Sequence, residues 1–91
     1  MNYNAFGEFT AFGRQARDAA ARRFSLLHDL IVELEQLAEI PQTVIDENKI
    51  KLVVSEIAMA DREMRTALNR ANESADLCGE ARISLSELKA K

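Results

Sequence analysis

The sequence predicts an all-α protein: an antiparallel helical hairpin of two long helices plus a short C-terminal helix, paired into a homodimeric helical bundle. Three observations point there. Apolar residues recur at helical spacing over two long stretches, only three glycines and one proline are available for turns, and that proline, Pro41, lies between the stretches. A sheet protein of this size needs several tight turns built on Gly, Pro, Asn or Asp at fixed places, and this chain does not supply them. Its 91 residues form one domain, 1–91, at a size where self-association often adds burial that a small core lacks. With 47% hydrophobic and 30% charged residues, the composition is that of a folding chain, not a disordered one.

The first helix is predicted from Phe6, Phe9, Phe12, Ala16, Ala19, Ala20, Phe24, Leu27, Leu30, Ile31, Leu34, Leu37 and Ala38. At helical periodicity these form one stripe about 140° wide. Asn4 is the expected N-cap. Gly7 and Gly13 each cost about 1 kcal/mol relative to Ala in a helix interior, so the first turns are expected to fray. The helix should end near Ile40, because a proline ring disfavours the α conformation in the residue before it.

Thr43 is the expected cap of the second helix, with Asp46 and Glu47 in its first turn, where the helix dipole favours acids. Its stripe runs Ile50, Val53, Val54, Ile57, Ala60, Met64, Ala67, Leu68, Ala71, Ala75 and Cys78, and Gly79 suits a left-handed C-cap. Ser84 and Glu87 then match a capping box for a short helix over Leu85 to Ala90.

If the second helix runs back along the first, facing residues have numbers that sum to about 84 for a short connection. Large residues then face small ones toward the open end, as close packing requires. Each stripe carries one charged residue, Arg23 and Asp61, and the same sum predicts that they meet as an ion pair. A second apolar line, Ile45, Leu52 and Met59, repeats by sevens outside the main stripe, as in a coiled coil. Either the tail, through Ile83, Leu85 and Leu88, or a second chain must cover it, and a homodimer is expected.

The charge distribution narrows the function. Asp29, Glu33, Glu35, Glu39, Asp46 and Glu47 make the turn end acidic, with no Lys or Arg between Asp29 and Glu47. Such an end suits antiparallel self-pairing or a basic partner surface. The expected partner-binding residues are therefore Glu33, Glu35, Glu39, Ile45, Asp46, Leu52 and Met59. An arginine band, Arg14, Arg17, Arg22, Arg62, Arg65 and Arg70, gives the alternative of a nucleic-acid-binding regulator built on a dimeric bundle. The net charge of -3 and the lack of an aromatic among those arginines weigh against it.

No metal site or cofactor is expected: Glu33, Glu35, Glu39, Glu56 and Asp61 reproduce neither a paired Glu-x-x-His nor a clustered Glu-x-x-Glu pattern. His28 flanks the stripe without a second histidine, and Cys78 reads as a small buried residue, so no catalytic residue is expected. Phe6, Phe9 and Phe12 are read as core in preference to a partner groove or a membrane anchor. One cysteine, no long apolar span and no secretion signal lead to a cytoplasmic expectation. The functional expectation is a non-enzymatic protein-protein interaction module: a small adaptor, regulator, inhibitor or assembly factor acting through helix faces.

Overall fold

The structure, a computed structural model, describes residues 2–89. Helix α1 spans Tyr3–Glu39 and helix α2 spans Glu47–Cys78; they pack against each other in opposite directions, and a single 3-10 turn, Leu85–Leu88, follows. The rod measures 62 × 23 × 13 Å.

Three helix ends show how local chemistry sets the boundaries. The N-cap of α1 is Asn2, not Asn4: the Ala5 amide donates to Asn2 Oδ1 at 2.9 Å, so the helix starts earlier than its apolar stripe. The cap of α2 is Asp46, not Thr43. Thr43 is held in the turn after Pro41, where its amide donates to the Ile40 carbonyl at 3.0 Å, while Asp46 Oδ1 accepts the Lys49 amide at 3.1 Å. A carboxylate in that place also faces the positive end of the dipole. Gly79 ends α2 at φ 77, a left-handed conformation that suits glycine, and the Gly79 and Glu80 amides both donate to the Ala75 carbonyl.

Arg23 and Asp61 meet as expected, Nε to Oδ1 at 2.9 Å, in the register that the residue numbering predicts. In the open half the interface is built from small residues: Ala16, Ala19, Ala20, Ala60, Ala67, Ala71 and Ala75 are buried with Met64 and Leu68. Phe9 and Phe12 pack against this cluster, as a core role requires, whereas Phe6, also expected in the core, is exposed. Methyl side chains let two backbones approach closely, and the larger residues fill what remains.

The tail completes this half. Ile83 and Leu88 are buried against the alanine cluster and Met64. Asn72 clamps the approach with two hydrogen bonds: its Nδ2 donates to the Ile83 carbonyl at 2.9 Å, and the Ile83 amide donates to its Oδ1 at 2.7 Å. Gly13 is buried beneath the tail, where an added Cβ would sit 3.4 Å from Ile83 Cδ1. A glycine that admits a neighbouring side chain is a packing feature here and not a fraying point.

Two further expectations are corrected. The tail forms one 3-10 turn and not an α-helix over Leu85 to Ala90. The Ser84 amide does reach Glu87 Oε1 at 3.4 Å, but Lys89 leaves the helical region at ψ 125, and Ala90 lies outside the described residues. Cys78 is half-buried and not fully so, its Sγ lying 3.7 Å from the Ala75 carbonyl as donor.

Enlarging Ala71, which has no exposed surface, should force the helices apart. Ala71→Leu is expected to lower stability by about 1–3 kcal/mol in denaturant unfolding, as overpacking does elsewhere.

Candidate interaction surface

Burial is distributed unevenly along the hairpin. No residue between Ala20 and Ala60 is buried, although the apolar stripes continue unbroken through that stretch. Leu27, Leu30, Leu37, Val53 and Ile57 are half-buried between the helices. Two helices with stripes this wide bury the line where they touch and leave the flanks open. In the open half the tail closes one flank; in the turn half none of the described residues does.

The turn half therefore presents two apolar faces. On the first, Phe24 shares a hollow with the tail residues Leu85 and Leu88, beside Arg23, Met64 and Arg65. Ile31 and Ala38 follow Phe24 at intervals of seven, which keeps them on the same side of α1, and all three are exposed. Val54, seven before Asp61, holds the corresponding line on α2 and is also exposed. The second face carries Leu52 and Met59 of the expected seam, with Leu52 62% exposed; Ile45 precedes the cap Asp46, so it lies in the exposed connection and not on the helix line. Met59 leads into a hollow lined by Arg22, Arg62 and Arg70. The tail lies on the first face and leaves the seam uncovered.

Charged groups tie the helices at intervals. Asp61 accepts from Arg23 Nε at 2.9 Å and Arg65 Nε at 3.0 Å, a fork in which one carboxylate serves two cations and one positive charge remains. The Arg65 hydrogen bond holds the Asp61 carboxyl below the usual aspartate range, Arg23 adds to the effect, and desolvation opposes it. Arg22 pairs with Glu63. Lys49 pairs with Glu33 at 3.0 Å, and that hydrogen bond raises the lysine above its ordinary value.

These contacts sort the residues singled out in the sequence. Glu33 is occupied by Lys49 and Asp46 by capping, whereas Glu35 and Glu39 have no ion pair among the described residues. The arginine band is divided between faces: Arg22, Arg62 and Arg70 line one hollow, Arg14 and Arg17 another beside Ile83, and Arg65 a third. Within it Arg22 and Arg65 hold carboxylates, and Arg70 lies 5.5 Å from the Phe12 ring centre. His28 is exposed and stacks on Phe24, ring centres 6.1 Å apart, a contact that their separation of four along one helix makes possible.

Among the described residues, no three His, Cys, Asp or Glu side chains lie close enough together to hold a metal ion, and no helix is long and apolar enough to cross a membrane. Compared with known proteins, the chain matches no family model, no curated protein and no solved structure.

The fork sets a pH dependence. Because Asp61 titrates below its ordinary value in the folded chain, its contribution is complete above about pH 4, the unfolded aspartate value, and is lost as pH falls through the lower folded value. Asp61→Asn should therefore lower the melting temperature at neutral pH, with the gap to the parent chain closing under acid. A gap that stays constant with pH would show that the charge is not what stabilises.

Proposed function

We propose that this chain is a non-enzymatic protein-protein interaction module, in the manner of a small adaptor or regulator, that acts through the open faces of its turn half and assembles as a homodimeric helical bundle. The observation that supports this reading is the absence of any buried residue between Ala20 and Ala60 in a stretch whose apolar stripes are continuous. Long regular helices offer surface for contact in place of an enclosed reaction chamber.

The surface area agrees with this reading. The chain exposes 6681 Å², whereas a compact monomer of its mass exposes about 5,300 Å². The excess exceeds the roughly 800 Å² per partner that a standard stable interface buries. The radius of gyration, 17.5 Å, is likewise well above the about 12 Å of a compact chain of this length. Cys78 without a cysteine partner suits a reducing cytoplasm.

The arginine band supports a nucleic-acid role less well, because Arg22, Arg65 and Arg70 are engaged within the chain and the band does not form one face. Binding of duplex DNA or RNA at low salt that is lost steeply as salt rises, and weakened by Arg17→Ala, would favour that alternative.

Light scattering at micromolar concentration tests the self-association. The expected mass is twice the 10.2 kDa of one chain. The double variant Ile31→Lys, Leu52→Lys, which charges both apolar faces, should return it to the monomer with helical circular dichroism retained. A parent chain that is monomeric at every accessible concentration would overturn the dimer.

A further inference from the structure

Resting on the reading of the turn half as a self-association surface, we infer that the second copy lies antiparallel on the face that carries the tail, centred on Ile31 and Val54. The tail gives the first reason. Residues 83–88 occupy the open half of that face and leave its turn half bare. Two hairpins stacked in the same direction would bring tail against tail and hold their bare halves apart. Stacked in opposite directions, each turn half fills the space beyond the other's tail.

The spacing of side chains gives a second, independent reason. Phe24, Ile31 and Ala38 form one line at intervals of seven, with Ile31 at its centre. Reversing a second copy about Ile31 sets the large Phe24 of one chain against the small Ala38 of the other, twice. This is the large-to-small matching that the alanine half of the monomer already uses. From Phe24 to Ala38 the contact runs about 21 Å at 1.5 Å per residue.

Charge points the same way. On α2 the parallel line is Glu47, Val54 and Asp61, again at intervals of seven. Reversal about Val54 brings Glu47 of one copy, held in its own helix only by the exposed Lys51 at 3.0 Å, to the level of the other's Arg23–Asp61–Arg65 fork, which retains a positive charge. Glu39, without an ion pair among the described residues, reaches the level of Arg23 by the same operation. A same-direction pair would instead put the acidic turn ends side by side, and like charges in contact oppose association.

Disulfide trapping reads the arrangement directly, since a bridge requires Cα atoms within about 7 Å. In a Cys78→Ala background, with dimer mass and helical circular dichroism checked first, Ile31→Cys is expected to give a linked dimer on mild oxidation. Phe24→Cys alone is expected to give none, because its two copies would sit about 21 Å apart along the rods. Phe24→Cys mixed with Ala38→Cys is expected to link. Self-linking of Phe24→Cys would establish the same-direction pair, and linking of Leu52→Cys but not Ile31→Cys would move the interface to the other face; either outcome overturns this arrangement while leaving self-association intact. The unsubstituted chain supplies a second reading. Its dimer should weaken several-fold as salt screens the opposed charges, whereas a dimer that tightens with salt contradicts the arrangement.

Discussion

Because Ala16, Ala20, Ala67 and Ala71 present only methyl groups, α1 and α2 come together closely over half their length, and the rest of the molecule is arranged around that approach. The approach sets which residues face each other, and Arg23 and Asp61 meet in that register. It also makes the open half shallow enough for one short segment to finish it. Ile83 and Leu88 reach the alanine cluster because nothing larger stands in their way, and Asn72 holds the backbone of that segment at the right height. The turn half uses Leu, Ile and Val in the corresponding positions. Bulky side chains keep the helices in contact through their tips and leave their flanks outward, which is the geometry of half a bundle.

Polar contacts follow the same division. In the open half they are used inside the chain: Asn72 on the tail, and Ser74 donating to Glu8 at 3.3 Å. In the middle they tie the helices together through the Asp61 fork and the Arg22–Glu63 pair. At the turn end Glu33 pairs with Lys49, Glu47 with Lys51, and Asp46 caps its helix, while Asp29, Glu35 and Glu39 have no ion pair among the described residues. Surface pairs of this kind contribute little to stability one by one, but a gradient of unneutralised charge along a rod distinguishes one direction of approach from another.

Much of this was legible in the residues. The two helices, the reversal after Pro41, the register and the Arg23–Asp61 contact follow from apolar periodicity combined with one numerical constraint, because a helix places every side chain at a known angle. The left-handed Gly79 was legible for a similar reason, since few residues suit that conformation. The caps were not: Asn2 and Asn4 offer the same chemistry two residues apart, and Thr43 and Asp46 are both good caps three residues apart, so the choice depends on where the first amides happen to lie. Asn72 and the path of the tail were hidden because their partners are eleven residues away across an irregular segment. The uneven burial was hidden too, for a periodic stripe records that a residue is apolar and not how many neighbours surround it. The change from alanine to leucine and isoleucine along both stripes was the available sign.

The alanine interface has a consequence for how the chain folds. Its buried contacts join residues near Ala16 and Ala20 to residues near Leu68 and Met64, so the firmest part of the hairpin is also the part whose two strands of chain are farthest apart in sequence. Closing a longer loop adds only about 0.6 kcal/mol for each doubling of its length, so this is a modest thermodynamic handicap, but it raises the contact order and slows the search. An isolated hairpin of this design zips less tightly from its bend than it locks at its free ends.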